Sequence, residues 1–134
     1  MFVDASALVA ILAAEDDADS LSASLIGAEK SVVSPITIYD AVLGLARARQ
    51  ISIADAVLAV SKLLAECDAE IVPITAEIGR AAIDAFVRYG RGRHEARLNL
   101  GDCFAYACAK TLGEPLLYKG EDFALTDLTY SPRT

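Results

Sequence analysis

Hydrophobic positions in this chain follow two periods, and the switches between them divide it into elements. Met1-Phe-Val3 is a short apolar run closed by Asp4, and Ser31–Ser34, Glu70–Ile74 and Leu116–Tyr118 are runs of the same kind. Short apolar runs bounded by polar or turn-forming residues read as buried strands. Pro73 has no N–H to give to a sheet, so the third run ends near it. The intervening stretches carry helical spacing and helical punctuation. Ser6 is expected to cap a helix over Ala7–Ala14, and Glu15–Asp19 to open a second one that reaches about Ile26 and stops at Gly27. Ser34 precedes Pro35, the arrangement of an N-cap followed by a first-turn proline, and that helix runs on through Arg47 and Arg49. A further helix is predicted over Ile53–Cys67, with Val57, Val60, Leu63 and Leu64 on its apolar face. Thr75 starts another through Tyr89, the Gly90–Gly92 segment breaks it, and Asn99–Asp102 starts the helix that ends near Leu112. After the Gly113-Glu-Pro115 turn and the fourth strand, a helical turn is expected at Asp122–Leu125 and a last strand at Leu128–Tyr130.

Strands alternating with helices imply a parallel sheet covered on both faces, so the expected fold class is α/β with a central, mainly parallel sheet of four to five strands. The chain is short enough to be one domain over residues 1–134 and long enough to bury a core without staples. In such sheets ligands sit beyond the carboxyl ends of the strands, near a switch in strand order. That rule directs attention to acids at strand ends.

Composition removes several alternatives. No apolar run approaches the roughly 18–20 residues of a membrane span, since Ala5–Ala14 is closed by Glu15–Asp17. No basic region and cleavage site mark a signal peptide, and the chain reads as soluble and cytoplasmic. Cys67, Cys103 and Cys108 are odd in number and form no CxxC pair, so they read as reduced, packed thiols rather than zinc ligands or disulfides. The net charge of −7 opposes loose nucleic-acid binding, yet four of the 12 Lys and Arg fall between Arg88 and Arg97, together with His94. That window reads either as a solvated helix end or as a phosphate-contacting edge.

Four carboxylates stand where a bland role explains them incompletely. Asp4 ends the first strand, and with Ser6 taken as the cap it is free to point out of the sheet. Asp40 is the lone charge between Pro35 and Ala46, costly to bury without compensation. Asp102 opens a helix behind Asn99 and Gly101, a position the helix dipole also favours. Asp122 follows the fourth strand. Acids gathered at one edge repel one another, and a hard dication such as Mg²⁺ or Mn²⁺ relieves this through carboxylate oxygens and retained waters. Such a site suits phosphodiester hydrolysis by a metal-activated water. His94 is the only histidine, and nothing around it suggests a Ser/His/Asp triad.

These residues resemble those of PIN-domain ribonucleases, specifically the VapC-type toxins of bacterial toxin–antitoxin pairs. The resemblance covers essentially the whole chain. It is carried by Phe2-Val-Asp-Ala-Ser-Ala-Leu8, the helix with Tyr39-Asp-Ala41, Gly90-Arg-Gly-Arg-His94 with Leu98-Asn-Leu-Gly-Asp-Cys-Phe-Ala-Tyr-Ala107, and Leu117-Tyr-Lys-Gly-Glu-Asp-Phe123 with Thr126-Asp127. It implies a three-layer α/β/α sandwich and a Mg²⁺-dependent endoribonuclease whose four acids are Asp4, Asp40, Asp102 and Asp122. Asp4, Asp102 and Asp122 would ligate the metal, with Ser6 and Thr126 as supporting hydroxyls. RNA is the implied substrate, a VapB-like antitoxin with a site-blocking tail the implied partner, and a homodimer the implied assembly. The chain departs from the family at Asp40, where Glu is usual. A PIN-domain protein that binds antitoxin without cleaving RNA is therefore an alternative. A phosphotransferase with Asp4 as covalent nucleophile is another, weakened by Ser6 standing where such enzymes carry a second acid.

Overall fold

The computed structural model describes residues 1–128. The chain order is β1 (Phe2–Val3), α1 (Ala5–Leu12), α2 (Ala18–Gly27), β2 (Val32–Val33), α3 (Pro35–Arg49), α4 (Ile53–Glu66), β3 (Glu70–Ile71), α5 (Ala76–Tyr89), α6 (Leu100–Leu112) and β4 (Leu116–Leu117), then a 3-10 turn at Phe123–Leu125. The four strands form one sheet in the order β3-β2-β1-β4, and every pairing is parallel. The expected α/β class and mainly parallel sheet are found. The expected last strand, Leu128–Tyr130, falls at and beyond the end of the described residues, and Leu128 itself is not in a strand.

Strand alternation sorts the core into two layers. Phe2, Val32 and Leu116 are in register across the sheet and pack with Ile78, Ala82 and Ala85 of α5 and Cys103, Ala107 and Cys108 of α6. Their successors Val3, Val33 and Leu117 face the opposite way and pack with residues of α1 to α4, among them Leu8, Leu21, Leu45 and Val60. Because successive side chains point to opposite faces, two apolar residues per strand suffice to build a three-layer sandwich. The strands are shorter than the apolar runs that announced them. Beyond Ile71, Val72 still donates to the Val33 carbonyl at 2.9 Å, and Pro73 then ends the ladder.

Two local expectations are corrected. Ser6 does not cap the first helix; it lies inside α1, and Asp4 is the N-cap, with extended dihedrals and its carboxylate accepting from the Ser6 N–H. The first helix begins sooner than expected because an aspartate closing a strand is itself a strong cap. On α4 the buried stripe is Ala56, Val60 and Leu64, while Val57 is exposed. All three cysteines are free, with Cys103 and Cys108 buried and Cys67 partly so. Among the described residues no helix is long and apolar enough to cross a membrane.

Candidate functional site

The sheet order places a topological switch at β1. From β1 the chain steps through β2 to β3 on one side, then crosses to pair β4 on the other. The crevice beyond the carboxyl ends of β1 and β4 is where such sheets bind ligands. Asp4 follows β1 directly, and Asp122 lies just past β4. Helix α6 returns through Gly113–Pro115 into the start of β4, so its N-terminus, with Asp102, stands at the carboxyl end of that strand. Helix α3 leaves β2 through Ser34 and carries Asp40 in its second turn.

Asp4 is buried, at 6 % exposure. Its Oδ2 accepts from the Ser6 N–H at 3.0 Å and from the Ser6 hydroxyl at 2.6 Å. The same hydroxyl oxygen accepts from the Lys119 N–H at 3.0 Å. One serine thus ties the acid at the end of β1 to the backbone just past β4. Burial pushes the Asp4 carboxyl above its ordinary range, the Ser6 bonds oppose this, and the charge of Asp40 adds to it. Burial likewise raises Asp40, which is half-buried on α3.

Asp102 sits in a reciprocal cap. It receives the Asn99 N–H on Oδ2 at 3.0 Å, while its own N–H donates to the Asn99 side chain at 2.9 Å. Its carboxyl is pushed up to about 6, first by burial and then by the charges of Asp4, Asp122 and Asp40, against the Asn99 bond. Those like charges act across four segments remote in sequence, so the fold brings the four expected acids into one another's field. Asp122 is exposed, and its side chain makes no capping bond to the turn it precedes.

Gly101 is the contact the sequence signalled only faintly. A Cβ built there would lie 1.9 Å from Asp40 Oδ2 and 3.1 Å from Asp40 Cγ. The Asp40 carboxylate therefore rests on the backbone of α6 beside Asp102, in space that any side chain at position 101 would fill. Thr126 works within its own turn, donating to the Phe123 carbonyl at 2.6 Å and accepting from the Leu128 N–H at 3.2 Å. Sequence reasoning also missed the anchoring of this last segment. Asp127 accepts from the Tyr106 hydroxyl and from Lys110, and pairs with Arg88 at 3.6 Å. Lys119 pairs with Glu15 and, at 3.3 Å, with Asp17. Asp122 is thus carried on a strap pinned at both ends.

Among the described residues, no three His, Cys, Asp or Glu side chains stand close enough to hold a metal ion unaided. The donor set is nonetheless all carboxylate oxygen, which suits a hard dication that keeps several waters rather than a thiolate or imidazole metal. Like charge adds to the burial that raises Asp4 and Asp102, and a dication would relieve that repulsion.

Comparison with known proteins agrees with this geometry. The PIN domain family model matches residues 1–128. A VapC ribonuclease of Rhizobium meliloti is 42% identical over 95% of this chain and 98% of its own length. Ribonuclease VapC36 of Mycobacterium tuberculosis is 40% identical over 97% of this chain and 92% of its own. Among solved structures, Mycobacterium tuberculosis VapC20, described as a Sarcin-Ricin loop cleaving toxin, superposes with a TM-score of 0.76 at 18% identity over 96% of this chain and 95% of that one. A toxin–antitoxin complex from Klebsiella pneumoniae gives 0.67 at 19% identity, over 98% and 96%. The chain belongs to the PIN domain family, and its curated relatives are VapC ribonucleases.

Proposed function

We propose that this protein is a Mg²⁺-dependent endoribonuclease, the toxin of a type II toxin–antitoxin pair, acting in the cytoplasm. The observation that carries this reading is the convergence of Asp4, Asp40, Asp102 and Asp122, from four remote segments, into one mutually repelling group at the switch point of a PIN-domain sheet. Asp4, Asp102 and Asp122 would hold Mg²⁺, with Mn²⁺ able to replace it. When bound, the ion supplies Lewis acidity, making water acidic enough to ionise near neutral pH and offsetting charge on phosphate oxygens. The chain's own residues supply the placement. Ser6 fixes one Asp4 oxygen, and the Asn99 cap fixes one Asp102 oxygen. Asp40, held against Gly101, would be the acid that orients the attacking water. The names of the relatives and the Klebsiella complex support a VapB-like antitoxin partner. Exposed Ile83, Phe86 and Leu100 leave apolar surface of the kind that partner binding or homodimer formation would cover.

The test is cleavage of RNA with Mg²⁺, Mn²⁺ or EDTA by wild type, Asp4→Asn and Asp102→Asn. Cleavage should require the dication and fall at least about 10²-fold in both variants, which should remain folded. Wild-type rates in both would refute the assignment. Asp40 in place of the usual Glu favours the second reading, a PIN-domain protein that binds antitoxin without cutting. Metal-dependent cleavage that is lost on Asp4→Asn would exclude it, and Asp40→Glu, which restores the longer reach, is expected to cut at least as fast as wild type.

A further inference from the structure

The basic window before α6 is not a frayed loop. The Leu98 N–H donates to the Tyr89 carbonyl and the Arg91 N–H to the Leu98 carbonyl, both at 3.0 Å, which closes the segment on itself. Arg93 and His94 both donate backbone N–H bonds to the Gly90 carbonyl, and the Ala96 N–H donates to His94 Nδ1 at 3.0 Å. Ala96 and Leu98 are fully buried beneath it. Three of its basic side chains are engaged in the fold. Arg88 bonds the Tyr89 hydroxyl at 2.9 Å and pairs with Asp127. Arg93 donates to the Val87 carbonyl at 3.2 Å and lies over the Phe86 ring. His94 packs edge-on against Tyr89, with centroids 5.1 Å apart.

Arg91 and Arg97 are different. Both are exposed, and among the described residues neither side chain has a hydrogen-bond or ion-pair partner. Arg97 also holds φ +55, the left-handed region that favours glycine. The loop's outer face, Arg91, Gly92, Arg93, Glu95 and Arg97, presents no apolar side chain, unlike the core of a protein interface. It leads within two residues to the Asn99 cap that carries Asp102.

We propose that Arg91 and Arg97, held out by the closed loop Gly90–Leu98 beside the N-terminus of α6, form a clamp for the phosphate backbone of single-stranded RNA. The inference rests on the ribonuclease reading above and adds the site that holds the substrate. A chain of net charge −7 with an acidic centre repels RNA on approach, and two uncommitted guanidiniums on the loop that leads into α6 offset this. Guanidinium is also the side chain that grips phosphate through paired donors.

The experiment measures equilibrium binding of a labelled single-stranded RNA oligonucleotide to Asp4→Asn protein, alone and with Arg91→Gln, Arg97→Gly or both. Each phosphate contact on single strands contributes about 0.7 to the slope of log K against log salt, so each substitution should weaken binding about fivefold at 0.1 M salt and the pair about 25-fold. The double variant should lose about 1.4 from the slope, and kcat/KM of the otherwise wild-type enzyme should fall in parallel. Arg97→Gly suits the backbone, so its Tm should hold, which separates loss of grip from loss of fold. Arg97→Lys should recover part of the affinity. Unchanged affinity and slope in the double variant, while wild type cuts RNA, would overturn the clamp alone. Loss of antitoxin capture with RNA affinity intact would overturn it in favour of a protein-docking edge. Wild type that neither binds nor cuts RNA would sink the ribonuclease reading, and the clamp with it.

Discussion

At the scale of single residues, the acids show how a site stores electrostatic strain. The Asp102 carboxyl titrates at about 6 in the folded chain, against about 3.9 for an unperturbed aspartate. The folded state therefore holds a proton between those values that the unfolded state has released. Stability from this group is full at about pH 4 and declines as pH rises through about 6; Asp4 and Asp40 are raised too and act in the same direction. In urea melts with EDTA, Asp102→Asn should be more stable than wild type at pH 8, and the gain should vanish near pH 4. A gain that does not depend on pH would show that the charge is not its source. Gly101 offers a second test. Alanine there collides with the movable end of Asp40 and meets Asn99 Oδ1 at an ordinary 3.6 Å, so the fold should hold and the helix gain up to about 1 kcal/mol. The displaced carboxylate should nevertheless lower the cleavage rate by about 10- to 100-fold. Gly101→Ala with full activity would mean that Asp40 needs no fixed place. Nothing in the spacing of Asp40 and Gly101 along the chain betrays that contact, because it joins two helices that meet only in the fold.

At the scale of elements, most of the helices start at a residue whose side chain caps them. Ser34, Thr75 and Asn99 each accept from a first-turn N–H, as their positions before apolar periodicity suggested, and Ser52 does the same for α4. Ser6, which lies inside α1, is instructive. Two polar residues in Asp4-Ala-Ser6 could each cap α1, and local sequence does not rank them. The ladder does: the Asp4 N–H donates to the Leu117 carbonyl at 2.9 Å, which ends β1 there and makes Asp4 the half-in residue. Helix α3 ends less comfortably, with Gln50 in the left-handed conformation at φ 52. Glycine is the residue that C-terminal position prefers, so Gln50→Gly should raise Tm by roughly 3 °C. A fall in Tm would mean that the Gln50 side chain stabilises α3 in a way its backbone conformation does not reveal.

At the scale of the whole molecule, the order β3-β2-β1-β4 gathers the acids, and any dication that settles among them must stabilise the fold by mass action. Mg²⁺ at about 100 times its Kd should add about 2.7 kcal/mol, read as a rise in Tm that EDTA reverses and Asp102→Asn largely abolishes. An equal rise in that variant would move the metal elsewhere. The sequence alone determined most of the elements and their class and nominated the four acids, because periodicity, caps and turns are properties of neighbouring residues. Only the tertiary structure decided that Asp4 is a cap, that Asp40 rests on Gly101, that Ser6 bridges β1 to the segment after β4, and that Arg91 and Arg97 stand unpaired among the described residues while their neighbours are tied down. Those are contacts between segments up to 113 positions apart. Side-chain packing and strand order set them, and a linear pattern carries no record of either.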